Sequence, residues 1–391
     1  VYEPSVRIRH WESASVDSWK SACEQMTGNS TVFYEKHREF LERNQLPPDE
    51  GNVLEARSVD RKGYKILLMD DRVPFPEYGA GSPRTEAILG AMVASGFRVT
   101  YFSFEVNASP DWDLIRERLP RGVEFILDRG SYHLPEFLRE REGYFDLIWI
   151  CRPHNQEMLQ EALERLSGTS YRRPPIIYDA EAVYSGREVM RAEVKGAQLD
   201  SSARDGMLVK EIGLASLSEG IVAVTGKEAG FFRRHLPDIP VAVLGHTVSR
   251  SYTCGRDFSR RGHFLFTGRL EGIESPNVDS IRWFLSGILP AIREDLGERV
   301  KLIAAGLYEE ESFRDQDLRG VCFRGSRESL APYFRNCRVF VAPTRYAAGL
   351  PLKVLEAAAG GIPIVCTPVL ASQLGWEHEK EALVAATAGD F

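Results

Sequence analysis

The stretch Arg338–Thr367, RVFVAPTRYAAGLPLKVLEAAAGGIPIVCT, decides the fold. Val339, Phe340 and Val341 make a short apolar run rich in β-branched and aromatic residues, and Ile362 to Cys366 make another. Runs of this kind read as strands buried in a parallel sheet. Between them the sequence predicts a helix, because Gly349 frees the backbone for a tight approach and Pro351 suits the first helical position, where a missing N–H costs nothing. The helix therefore begins at the carboxyl end of a strand, where open α/β sheets bind ligands, and its free N–H donors and partial positive charge suit a phosphate. Lys353 in the first turn and Glu356 one turn later share a face. In one reading the lysine holds phosphate and the carboxylate accepts hydrogen bonds from ribose hydroxyls. In the other the two form an exposed i,i+3 ion pair worth a few tenths of a kcal/mol, and composition alone favours that second reading.

Working outward, the same strand–loop–helix unit recurs. His263 to Thr267 is a strand followed by Gly268-Arg269, Val300 to Ala305 one followed by Gly306, and Val321 to Phe323 one followed by Gly325-Ser326. An arginine placed straight after a strand offers a planar donor fork to a diphosphate; the plainer alternative is a surface arginine in a turn. Towards the N-terminus, KILLMDD from Lys65, Phe97 to Phe102, Val123 to Leu127, Phe145 to Ile150, Ile176 to Tyr178, Ile221 to Val224 and Val241 to Leu244 are the strands of another doubly wound unit. After the first of them, PFPEYGAGSPR carries Gly79 and Gly81, then Ser82 as a cap and Pro83 opening a helix. This is not the dinucleotide fingerprint, and a tight turn competes with ligand contact, in which Arg84 would take part. Polar residues follow the later strands, so Arg152, His154, Asp179 and Glu181 are candidates for contacts at the sheet's carboxyl edge. The alternatives are a solvent-facing helix end for His154 and an ordinary helix start for Asp179 and Glu181.

At 391 residues the chain has room for two or three domains, and a formal net charge of −7 argues against a nucleic-acid surface. The six cysteines form no CxxC pair or zinc spacing, which suits reduced thiols in a cytoplasmic setting. No run approaches a membrane span and no signal-peptide pattern opens the chain. Arg233, Arg234, Arg260 and Arg261 allow a peripheral contact with the inner face of a membrane, against the plainer reading of solvated charge.

The motif Gly-Leu-Pro-x-x-Val-Leu-Glu-Ala followed by Gly-x-Pro-Ile-Val-x-Thr resembles the donor-site signature of retaining glycosyltransferases with the GT-B fold, family 4 (group 1), of bacterial polysaccharide biosynthesis. The resemblance implies two Rossmann-like parallel-sheet domains facing a cleft, residues 61–246 on the acceptor side and 262–391 on the donor side, joined by a linker at 247–261. It also implies a donor domain cut short of the helix that usually crosses back onto its partner. It implies a nucleotide-sugar donor, a saccharide or lipid-linked saccharide acceptor, hexosyl transfer with retention in O-antigen or capsule-type assembly, and no metal or other cofactor. Arg269 matches the family's phosphate-binding arginine. Lys353 and Glu356 fall in the donor site with Gly349 and Leu350, and Gly325 lies beside the nucleotide base. Gly79, Gly81, Arg84 and Glu181 belong to the facing acceptor or cleft loops. Arg269, Lys353 and His154 are the catalytic candidates. The family motif of two glutamates separated by seven residues is incomplete, since its first position is Ala348.

Residues 1–60 stand apart as a mostly helical extension and linker. VYEPSVRIRHWESAS resembles the last strand and tail of a family 2, GT-A glycosyltransferase, which implies fusion to such a module, and Trp19 to Met26 and Phe33 to Leu46 have helical spacing. The Ala348 departure keeps a non-catalytic nucleotide-sugar-binding or scaffold module open as an alternative, alongside another GT-B activity such as an epimerase.

Overall fold

The computed structural model describes residues 18–44, 53, 63–75, 81–248, 258–297, 299–327 and 329–391. The stretch that resembles a family 2 module lies outside them, as does Gly79. The chain divides into two compact units, 1–63 and 64–391. In the first, a single helix runs from Trp19 to Asn44, with a local break at His37 (φ −114, ψ 15). The sequence predicts two helical stretches here. The structure also gives two helical segments, but they meet at His37 and not between Met26 and Phe33, where the Thr27 and Thr31 hydroxyls bond back to the carbonyls of Cys23 (2.9 Å) and Thr27 (3.0 Å).

The second unit holds two parallel sheets. The strands of the first are β1 (Lys65–Asp70), β2 (Arg98–Ser103), β3 (Glu124–Ile126), β4 (Leu147–Cys151), β5 (Ile176–Asp179), β6 (Gly220–Ala223) and β7 (Val241–Val243). They lie side by side as β3-β2-β1-β4-β5-β6-β7. The second sheet comprises β8 (Gly262–Thr267), β9 (Leu302–Ala305), β10 (Val321–Phe323), β11 (Cys337–Ala342), β12 (Ile364–Cys366) and β13 (Leu383–Val384), in the order β10-β9-β8-β11-β12-β13. In each sheet the order reverses beside the first strand, which opens a crevice at the carboxyl ends of β1 and β4 in one and of β8 and β11 in the other. The two expected domains are therefore two Rossmann-like sheets in the GT-B arrangement.

The strands form where apolar runs are buried on both faces. Leu67, Leu68 and Met69 of β1 and Leu265 and Phe266 of β8 are fully enclosed. Helices cover both sides of each sheet, and each sheet carries two apolar clusters, one per face. The helical run from Pro276 passes through a π-turn at Phe284–Ile288 before continuing to Leu296, and Phe284, Leu285 and Ile288 are buried as their spacing predicts. Among the described residues no helix is long and apolar enough to cross a membrane.

Candidate active site

On the second sheet, the helix predicted after β11 spans Leu352–Ala359. Pro351 is its N-cap and not its first helical residue, which moves Lys353 to the second helical position. Thr344, just beyond β11, Asn277, at the start of the helix Pro276–Trp283, and Lys353 converge. Lys353 Nζ donates to Asn277 Oδ1 (2.6 Å), lies 3.5 Å from Thr344 Oγ1 and sits 4.4 Å from the centre of the Phe266 ring. Asn277 also donates from Nδ2 to the carbonyl of Arg269 (3.0 Å), so one amide joins the two candidate cations.

No carboxylate pairs with Lys353 among the described residues. Burial lowers its pKa to about 7. The Lys353–Glu356 ion pair left open by the sequence does not form. Glu356 has no side-chain partner among the described residues either, and burial raises its pKa. Arg269 is half exposed and engaged by Glu271 (Nε to Oε2, 2.5 Å). Gly325 turns beyond β10 at φ 63 and accepts from the Gly306 amide (2.9 Å).

The first sheet gathers a denser set of charges. Asp70 and Asp71 end β1, Arg152 and His154 follow β4, and Asp179 and Glu181 follow β5. The Arg152 guanidinium lies 3.3 Å from Asp70, 3.2 Å from Glu181 and against Asp71. Asp71 Oδ1 also meets His154 Nε2 at 2.6 Å. Burial raises the pKa of Asp70 and of Glu181 against the pull of Arg152. Asp71, where burial is outweighed by the His154 hydrogen bond and the Arg152 charge, falls to about 2. That hydrogen bond in turn raises His154, which is 53% exposed. Arg152 (φ 75) and Glu181 (φ 53) both adopt left-handed backbone, the strained conformation that concentrates at functional sites. Glu181 Oε1 is buried without a hydrogen-bond partner.

Asp70, Cys151 and Glu181 bring potential metal ligands within 4.8 Å of one another. Arg152 already supplies the cation between two of them, so this trio fits a guanidinium better than a metal ion.

Arg84 corrects the sequence reading. Its helix begins at Gly81, with Ser82 and Pro83 inside the first turn, and the side chain points into the fold, 2% exposed. Nη1 pairs with Asp179 Oδ2 at 2.6 Å, while Nε and Nη2 donate to the carbonyl of Leu244 (3.3 and 3.0 Å). Arg84 forms a buried structural ion pair and is turned into the fold. Gly81 does border the charged cluster, since a Cβ there would lie 2.6 Å from Arg152 Nη2 and 3.0 Å from Glu181 Oε2.

The loop before the Leu352–Ala359 helix joins the two domains. Gly349 has φ +74, and a Cβ on it would stand 2.9 Å from the Glu181 carbonyl oxygen. A Cβ on Gly245 would similarly lie 3.7 Å from Leu350 Cδ2. Gly349 and Leu350 are thus interdomain contacts, and they bring the Lys353 region and the Glu181 turn to one cleft. The sequence reading missed Asn277, Asp71 and Glu228. The doubled aspartate ending KILLMDD was a usable signal for Asp71; Asn277 looked like an ordinary residue of a helix start.

Residues 261–390 match the family described as Glycosyl transferases group 1. No curated protein sequence matches the chain. Solved structures share its fold: a sucrose-phosphate synthase from Thermosynechococcus elongatus, with a TM-score of 0.58 and 16% identity over 84% of this chain and 87% of that one, and HepE of Anabaena in complex with UDP and glucose, with 0.55 and 15% over 83% and 86%. WaaG, a glycosyltransferase involved in lipopolysaccharide biosynthesis, gives 0.51 and 14% over 79% and 83%. The second domain thus matches the group 1 glycosyltransferase model, and the chain shares the GT-B fold of these structures.

Proposed function

We propose that this protein transfers a sugar from a nucleotide-sugar donor to a saccharide or lipid-linked saccharide acceptor, with retention of configuration and without a metal ion or other cofactor. The setting that suits this chemistry is surface-polysaccharide assembly in the cytoplasm, at the inner membrane face where a lipid-linked acceptor would lie. The observation that carries the reading is Lys353: a cation held in place by Asn277 and Thr344, lacking a carboxylate partner among the described residues, at the start of a helix in a group 1 glycosyltransferase domain. A diphosphate supplies the missing counter-charge and adds to the helix N-terminus.

In this reading Lys353 and Arg269 bind the diphosphate and stabilise its charge as the anomeric C–O bond breaks. The acceptor oxygen forms the new bond to the anomeric carbon, and its proton passes to the departing phosphate oxygen. Arg269 must first exchange Glu271 for phosphate. Glu356 accepts the ribose hydroxyls. His154, oriented by Asp71, exchanges hydrogen bonds with sugar hydroxyls across the cleft, where the Glu181 turn lies beside it.

The test is calorimetric titration with UDP, GDP, dTDP and CMP sugars. We expect one nucleotide to bind at micromolar strength and Glu356→Ala or Arg269→Ala to weaken it by about tenfold, roughly 1.4 kcal/mol. Binding indifferent to both substitutions would overturn the site. Tight binding with no transfer to any acceptor would favour a nucleotide-sugar-binding or scaffold module, and epimerised donor would favour the epimerase reading.

A further inference from the structure

Thr225-x-x-Glu228 has the spacing of a capping box at the start of the helix Gly226–His235, and Thr225 Oγ1 does accept from the Glu228 amide (3.1 Å). A capping box would turn the glutamate back onto the N-cap amide. Glu228 goes elsewhere. Its Oε1 accepts from the amide of Val183 (3.1 Å), beside the strained Glu181 turn, and from the amide of Gly349 (3.0 Å) in the other domain. Its Oε2 lies 3.4 Å from Thr225 Oγ1. Next to it, Glu211 accepts from Tyr184 N (2.7 Å) and Ser185 N (2.9 Å), so the turn following Glu181 is pinned by two carboxylates.

We propose that Glu228 is a positioning residue for the donor loop: from the first domain it fixes the Gly349 amide of the second, and so sets the cleft geometry in which Lys353 and Glu181 face one ligand. This rests on the reading of Gly349–Glu356 as the donor site. Gly349 is well placed for such control. Its left-handed backbone directs the amide, and its lack of a side chain lets the loop approach the Glu181 carbonyl.

Among the described residues, other polar contacts between the domains are weaker in kind. Lys227 reaches Ser372 (3.0 Å) at the surface, and Arg191 and Lys195 reach Glu274 (3.4 and 3.9 Å) with side chains 38% to 58% exposed. Salt and solvent screen these, whereas the partly buried Glu228 oxygen meets two backbone donors directly. One carboxylate thus ties a loop on each side of the cleft, and removing it frees the Gly349 loop and leaves the Val183 amide without its acceptor.

The test uses hydrogen exchange by mass spectrometry together with UDP, GDP and dTDP titrations on the full chain, comparing wild type, Glu228→Ala and Glu228→Gln. In Glu228→Ala, amides of the 346–352 loop and that of Val183 should exchange about tenfold faster, while those of Tyr184 and Ser185, held by Glu211, stay protected; Glu228→Gln, whose Oε1 accepts the same two bonds, stays near wild type. Nucleotide affinity should fall about tenfold in the alanine variant and recover in the glutamine variant. If the alanine variant does not fold, Glu228→Asp, one methylene too short to span both amides, carries the same expectation. Unchanged exchange at 346–352 overturns the clamp, even if affinity falls. If wild type binds no nucleotide, the donor reading fails, and the exchange data decide the clamp independently.

Discussion

The two faces of the cleft hold charge in opposite ways. On the first domain the two buried arginines at the cleft are paired: Arg152 lies against three carboxylates, and Arg84 bonds Asp179 and the Leu244 carbonyl. On the second domain Lys353 and Glu356 lie within one turn of each other, yet neither has a charged partner among the described residues. Burying charge is costly unless it is paired. The first face meets most of that cost with its own residues. The second leaves it unmet, which is what a site completed by a charged ligand requires.

The sharpest way to break this comparison is to damage the paired face. Arg84→Met would leave Asp179 buried without its charged partner, with the Trp149 indole (3.3 Å) and the Glu181 amide as hydrogen-bond donors. Urea unfolding should show a loss of about 3–5 kcal/mol, and the fraction that folds should keep its nucleotide affinity. A loss of binding without a loss of stability would return Arg84 to the ligand.

Lys353→Met should behave in the reverse sense. Affinity for the nucleoside diphosphate should fall about tenfold to a hundredfold, as expected for a lost charge-assisted bond, with no matching loss of stability. The sign of the pH effect follows from the lowered pKa. Between about 7 in the fold and 10.5 unfolded, the unfolded chain binds more protons, so wild-type stability rises with pH across that window. The methionine variant should lack that rise in its urea midpoints.

The smallest effect belongs to His154, half exposed and paired with Asp71. His154→Ala should cost about 1 kcal/mol or less. Because the hydrogen bond raises the folded pKa above 6.5, the contribution is complete below 6.5 and fades as pH rises through the folded value. A difference between variant and wild type that persists at alkaline pH would show that packing, not charge, is at stake.

The strands were legible because buried parallel strands are written as continuous apolar runs: Val321–Phe323 agrees to the residue, and the others shift by a residue or two. β13, only Leu383–Val384, has too short a run to announce itself. The site was legible where position alone decides chemistry, as with the helix after β11. It was misleading at Arg84, because a polar residue near a glycine turn looks the same whether it points out to a ligand or in to a partner 95 residues away. Glu228 was legible only as a capping box, since the amide it serves lies 121 positions further along the chain. Periodicity and capping signals report local geometry; pairings across domains leave no local trace.

The measurement that bears most directly on an unpaired donor face is calorimetric binding of the nucleoside diphosphate from pH 6 to 9 in buffers of different ionisation enthalpy. If Lys353 awaits the diphosphate, its pKa must rise on binding. Proton uptake should then appear above about pH 7, with affinity falling towards tenfold per pH unit, and both features should vanish in Lys353→Met. Affinity that is flat with pH, or a pH dependence that survives in Lys353→Met, would contradict the account.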